Sequence, residues 1–204
     1  MSEFVLATAN PHKTEEIRAV LEPLGFTLLA RPGDVPDVEE TGETLEENAV
    51  LKAKALVDAT GTPAIADDTG LFVDALQGRP GVHSARYAGD GATYEQNVSK
   101  LLLALDDVEA PARTARFRTV IAIAYPNATN VCVEGVLEGT IALARAGDQG
   151  FGYDPVFVPD ATGGRTLAEL SANEKNALSH RALALRALSK KLAEPEDSSP
   201  DVHL

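Results

Sequence analysis

A chain of 204 residues with 44% hydrophobic content can bury one sizeable core, and 18 basic against 31 acidic residues leave it a formal charge of −13. That charge excludes nucleic acid polymer and anionic membrane as natural partners, since both would be repelled. Cys132 is the only cysteine, so no intrachain disulfide can form; no apolar run approaches membrane-spanning length, the first residues lack a basic stretch followed by a long apolar one, and the expected location is cytoplasmic.

Phe4 to Ala7 fits a buried first strand. Asn10 is a good N-cap and Pro11 a good first helical residue, with Ile17, Val20, Leu21 and Leu24 supplying an apolar face. The helix start would offer free backbone N–H groups to an anion, and Lys13 in its first turn adds positive charge there. Gly25 closes the helix and Phe26 to Ala30 makes a second strand. A loop follows, then the carboxylate run Glu39, Glu40 and Glu43. Thr44 and Glu47 form a capping box for a helix whose stripe is Leu45, Ala49, Ala53, Leu56 and Val57, with Lys52 and Lys54 off that stripe.

Ala64 to Ala66 reads as the end of a short strand, after which Asp67, Asp68 and Thr69 precede a turn at Gly70. Two adjacent acids resist burial unless a divalent cation or a lysine neutralises them. Leu71 to Leu76 continues as strand or short helix, and residues 77 to 91 form a glycine-rich loop long enough to serve as a cover. Thr93 and Gln96 cap an amphipathic helix carrying Val98, Leu101, Leu102 and Leu105. Arg116 to Tyr125 and Asn130 to Ala144, separated by a turn at Pro126 to Thr129, predict a long antiparallel hairpin. Glycines around Phe151 and Tyr153 leave two aromatics room to stack on a flat ligand, with Asp154 beside them. Ser171 and Glu174 cap a single last helix; at helical spacing Lys175 and Arg181 flank its stripe of Leu178, Ala182, Leu185, Leu188 and Leu192, and His180 lies nearly opposite. Residues 1 to 193 are expected to form one two-lobed domain, and residues 194 to 204, acidic and proline-containing, a disordered tail.

Acids that bind Mg²⁺, cations that bind phosphates and aromatics that stack a base together describe a nucleoside polyphosphate site. The P-loop, dinucleotide and protein-kinase motifs are absent, and Asp67-Asp68-Thr69 lacks the alternating Asp-x-Asp of haloacid-dehalogenase-type phosphatases. A pyrophosphatase preferring modified pyrimidines would carry the same phosphate and metal residues. A nucleotide sensor that binds without turnover would lack Glu40, Asp67 or Asp68, and all three are present.

The chain resembles the inosine triphosphate pyrophosphatase family. The matching pieces are Thr8 to Lys13, Glu39 to Gly42 with Glu47 to Ala49 and Lys52-Ala53, Ala66 to Gly70, Pro80-Gly81 with Ser84 to Tyr87, Gly150 to Pro155, and Glu174-Lys175 with Ser179 to Arg181. Six such pieces in the family's order are far more specific than any one. The resemblance implies an elongated α/β fold of two lobes around a mixed, twisted sheet flanked by helices, with substrate in the cleft between them. It implies hydrolysis of inosine, deoxyinosine and xanthosine triphosphates (ITP, dITP and XTP) to monophosphate and pyrophosphate, with Mg²⁺, in a homodimer. Carried over by position, Thr8, Ala9, Asn10, Pro11, His12 and Lys13 would hold the triphosphate, Glu40 and Asp68 the metal, and Thr69 a phosphate oxygen. Asp68 would accept the proton of the water attacking the α-phosphorus, and Lys52 would offset charge on the leaving pyrophosphate. Phe151, Gly152, Tyr153, Asp154, Lys175, His180 and Arg181 would contact the nucleoside, Arg181 reading the 6-keto oxygen because a guanidinium cannot accept from adenine's 6-amino group. Ala9 stands where the family often has glycine and Thr69 where it often has serine; both keep the donors that matter.

Overall fold

A computed structural model describes residues 3–193; the tail expected at 194–204 lies outside the described residues. Among them, seven strands form one mixed sheet. Its order is β2 (Thr27–Leu29), β1 (Glu3–Leu6), β3 (Ala64–Val73), β5 (Thr114–Tyr125), β6 (Ala128–Ile141) and β7 (Phe157–Pro159), while the two-residue β4 (Pro80–Gly81) also pairs with β3. β1 runs parallel to both its neighbours, and the remaining pairs are antiparallel. The parallel part is built by helical crossovers: α1 (Pro11–Leu21) joins β1 to β2 and α2 (Leu45–Thr60) precedes β3. The antiparallel part is the expected hairpin, with its turn tightened to Pro126-Asn127.

Alternation along the strands distributes three cores. One sheet face sends Ile65, Ile121 and Ile123 against α1 and α5 (His180–Ala193), where Ile17, Leu21, Leu185 and Leu188 are buried. The opposite face presents Ala64, Ala66, Val120, Ala122 and Ala124 to Ala49, Ala53 and Leu56 of α2; small residues on both sides let helix and sheet approach closely. Farther along, Leu71, Val73, Phe117 and Phe157 pack with Val98 and Leu101 of α3 (Tyr94–Ala104) and with Leu105 at its C-cap.

Two elements differ from the sequence expectation. β3 does not end before Asp67; it continues through Asp67, Asp68, Thr69 and Gly70 to Val73, paired residue for residue with β5. Gly70 serves a close approach instead of a turn, because a Cβ there would meet the carbonyl oxygen of Gly81 at 2.6 Å and push β4 off the strand. The last helix is also not continuous. α4 (Ala172–Leu178) stops at Ser179, which takes extended angles (φ −61°, ψ 152°), and Ser179 Oγ then accepts the Ala182 N–H at 3.2 Å, so the same residue ends one helix and caps the next. This break turns His180 and Arg181 into the interior, both nearly inaccessible to solvent, instead of leaving His180 on the outer side and Arg181 at the stripe's edge.

Candidate active site

The pleat places neighbouring residues on opposite faces, so Asp67 and Thr69 look toward α1 and α5 while Asp68 looks toward α2. Asp67 Oδ2 lies 3.1 Å from Lys13 Nζ and accepts from Arg181 Nη2 at 3.0 Å and Nε at 3.1 Å. Arg181 also pairs with Glu16, and Glu16 Oε1 and Asp154 Oδ2 each lie 2.7 Å from Lys175 Nζ. Three cations therefore meet three carboxylates. Burial opposes the ionisation of Asp67, but Lys13, Arg181 and Lys52 outweigh it and hold its carboxyl far below the usual range. Around the same cluster burial, then Arg181 and Lys175, hold His180 neutral, well below an ordinary histidine.

On the other face Lys52, reaching in from α2, donates to Asp68 Oδ1 at 2.6 Å and to Glu40 Oε1 at 3.0 Å, and Arg86 reaches Glu40 Oε2 at 3.3 Å. Burial drives the Asp68 pKa up to about 6 against the pull of Lys52, and the nearby Glu40 adds to the rise. Lys52 itself is held charged, since Asp68, Asp67 and Glu40 overcome its burial. The predicted pair of acids thus meets at one ammonium, and Lys52 joins them although most lysines beside an apolar stripe are solvated; Lys54 is exposed as expected.

Whether this pair suits a divalent cation is answered by the atoms left over. Asp68 Oδ2 and Asp67 Oδ1 are buried without a hydrogen-bond partner. Among the described residues no group of three or more His, Cys, Asp and Glu is arranged to hold a metal. Glu40 and Asp68 with one spare oxygen fit Mg²⁺, which takes one or two carboxylates and fills its remaining positions with phosphate oxygens and water.

Two cavities adjoin the acids. One of about 360 Å³ is lined by Thr8, Ala9, Asn10, Lys13, Glu40, Lys52 and Asp67. Another of about 130 Å³ is lined by Asn10, Lys13, Thr69, Phe151, Gly152, Tyr153, Asp154, Lys175, His180 and Arg181. Asn10 and Lys13 belong to both, so the sequence-distant pieces 8–13, 69, 151–154 and 175–181 do converge.

Several predicted roles change in detail. The start of α1 is less open to an anion than its sequence suggests: Asn10 Oδ1 accepts the N–H groups of His12 (3.0 Å) and Lys13 (3.4 Å), the Thr14 N–H goes to Asn10 O, and Pro11 has none. Positive charge there comes from the Lys13 side chain. Of the two aromatics, Tyr153 is core: it is buried and its hydroxyl donates to Ser84 O at 2.8 Å, fixing the loop after β4. Phe151 stacks on the exposed His12 ring (centroids 5.2 Å apart, 14° between planes) and lies 4.7 Å from Lys175 Nζ. Asp154 is buried too, accepting the Phe151 N–H and the Lys175 ammonium, and so holds the Phe151 loop in place. Lys175 and Arg181 are paired inside the protein instead of snorkelling at its surface. Glu16 and Thr119 were not singled out from sequence. Glu16 sits three residues after Lys13 on the same helix face, and Thr119 is a polar residue on an inward strand face between Phe117 and Ile121; both patterns were readable.

The Ham1 family model matches residues 4–191. The chain belongs to the Ham1 family. A Bacillus subtilis (strain 168) protein named dITP/XTP pyrophosphatase is 47% identical to it over 194 residues, covering 94% of this chain and 98% of its own. A relative of the same name from Nitratidesulfovibrio vulgaris is 52% identical over 193 residues, covering 91% and 93%. Among solved structures, a HAM1 protein from Coxiella burnetii superposes with a TM-score of 0.86 at 44% identity, covering 96% of this chain and all of its own. The α/β fold with a mixed sheet between helices is thus the Ham1 fold, and the family is the one that the six sequence pieces resembled.

Proposed function

We propose that this chain hydrolyses inosine, deoxyinosine and xanthosine triphosphates to the nucleoside monophosphate and pyrophosphate. The observation that carries this reading is the meeting of Asp68, Glu40 and Lys52 beside a cavity that also holds Lys13, next to a second cavity walled by Phe151, Lys175 and His180. A purine beside Phe151 in the smaller cavity, with the phosphates leading past Thr69 and Lys13 into the larger one, would fill the space between these elements. The names of the relatives agree with a pyrophosphate-releasing enzyme acting on dITP and XTP.

In this reading Asp68 accepts a proton from water attacking the α-phosphorus, a role suited by a carboxyl raised to about 6 by its burial. Lys52 holds Asp68 in place and, with Lys13, offsets charge on the departing pyrophosphate. Mg²⁺ is the cofactor assigned to Glu40 and Asp68, where it would neutralise phosphate charge. Thr69 donates to a phosphate oxygen. Arg181 is a specificity residue in this reading: Asp67, Glu16 and Thr69 take four of its contacts and fix the plane of the guanidinium at the wall of the smaller cavity. Action as a homodimer, implied by the family resemblance, and in the cytoplasm, the location expected from the sequence, completes the proposal. Among the described residues no helix is long and apolar enough to cross a membrane.

Incubating ITP with the protein and Mg²⁺ tests this directly. Monophosphate and pyrophosphate are the expected products; diphosphate and orthophosphate would refute the reaction. Arg181→Ala, which removes the donor, should narrow the ratio of kcat/KM for ITP over ATP, and an unchanged ratio would move base discrimination elsewhere. Sedimentation of the same preparation reads the dimer.

A further inference from the structure

Thr119 has no part in the chemistry above, yet it is fully buried and is the polar member of an inward strand face that otherwise carries Phe117, Ile121 and Ile123. The β3–β5 register sets it directly opposite Thr69, with the two hydroxyl oxygens 2.7 Å apart. Its oxygen is also 2.6 Å from His180 Nδ1. Phe117, two residues earlier on the same face, stacks on the His180 ring with centroids 4.5 Å apart and 25° between planes, so the ring is held in register with Thr119. A continuous chain therefore runs His180, Thr119, Thr69, Asp67, ending in a 3.4 Å contact from Thr69 Oγ1 to Asp67 Oδ2.

Counting hydrogens gives the chain a direction. Arginine only donates, so Thr69 Oγ1 accepts from Arg181 Nη2 at 3.2 Å. If Thr69 donated to Thr119, its remaining lone pair would face the Asp67 carboxylate, two acceptors confronting each other. With the opposite polarity, His180 Nδ1–H donates to Thr119, Thr119 donates to Thr69, and every hydrogen points toward the negative charge. The Thr69 hydrogen then makes the longest contact in the chain, the one most readily exchanged for a better acceptor.

We propose that Thr119 is a positioning residue: its buried hydroxyl, supplied by His180, leaves the Thr69 hydrogen as a donor to a phosphate oxygen in the cavity. The inference rests on the proposed role of Thr69 as a phosphate contact. Its test compares the full chain with Thr119→Val, which keeps shape and removes the hydroxyl, and with Thr119→Ser, which restores it. Calorimetric binding of inorganic tripolyphosphate in metal-free buffer should weaken about tenfold or more in Thr119→Val and stay within about threefold of wild type in Thr119→Ser, the size expected for one hydrogen bond to a charged group. With ITP and Mg²⁺, KM should rise in Thr119→Val by a similar factor while kcat changes by less than about threefold. Unchanged tripolyphosphate binding by Thr119→Val overturns the role, as does equal weakening in Thr119→Ser, which would mark a packing effect. Absence of tripolyphosphate binding by the wild-type chain overturns it as well. Failure of the wild-type chain to release pyrophosphate from ITP would sink the proposed reaction alone, because the binding comparison still decides the role of Thr119.

Discussion

Asp67 and Asp68 share a peptide bond and differ in almost everything else. The pleat gives Asp67 to the α1–α5 face, where Lys13 and Arg181 oversupply it with positive charge and keep it ionised. It gives Asp68 to the α2 face, where one lysine is divided between it and Glu40 and burial lifts its pKa to about 6. Each keeps one buried oxygen without a partner, so the difference lies in charge: a carboxylate clasped by two cations serves as an anchor that locks three distant segments together, whereas an undersupplied one keeps an appetite for a proton or a cation. One strand thus provides an anchoring acid and, in the proposed function, a reactive one in consecutive positions because the side-chain period is two.

The sharpest way to separate these roles is to neutralise each acid in turn. Asp68→Asn should cut kcat for ITP by about 10²- to 10⁴-fold with the circular dichroism spectrum unchanged, the range for loss of a positioned proton acceptor. Near-normal turnover would remove Asp68 from the chemistry. Asp67→Asn should instead act first on the fold, costing about 3 kcal/mol in chemical denaturation, since it leaves buried Lys13 and Arg181 short of a counter-charge. A variant as stable as wild type would mean that Asp67 is no anchor.

A smaller effect has the opposite sign. A raised pKa means that the folded chain binds the Asp68 proton more tightly than the unfolded chain does, so ionising Asp68 costs stability as pH rises through about 6. Without metal, Asp68→Asn should therefore be more stable than wild type by about 1 kcal/mol at pH 8, with the gap closing toward pH 4. A gap that widened on acidification would reverse the assignment. Smallest in energy but most direct is carboxyl NMR of the metal-free protein. One aspartate signal, lost in Asp68→Asn, should titrate near pH 6, while the Asp67 signal should stay ionised through the ordinary carboxylate range. Two similar titrations would erase the contrast between the faces.

Much of this was legible in the residues. Asn10, Thr44 with Glu47, Thr93 with Gln96 and Ser171 with Glu174 cap helices where their side chains said they would. The acids, lysines and aromatic loop of the candidate site were visible as types, and the hairpin as a run of β-branched residues. The role of Gly70 was hidden, because a glycine that admits a neighbouring backbone looks the same in sequence as one that makes a turn. The break at Ser179 carried a faint sign, a serine suited to an N-cap, inside an apolar period that runs unbroken through the sequence. Partners such as Glu16 with Arg181, 165 positions apart, depend on which helix docks on which face, and local pattern does not encode that.

Arg181 lies 114 positions after Asp67, so the salt cluster closes only when the final helix has docked on the sheet. A chain in which the sheet has formed but α5 has not docked has neither the second clasp on Asp67 nor the wall formed by His180 and Arg181. Closure of the smaller cavity is thereby tied to the docking of α5.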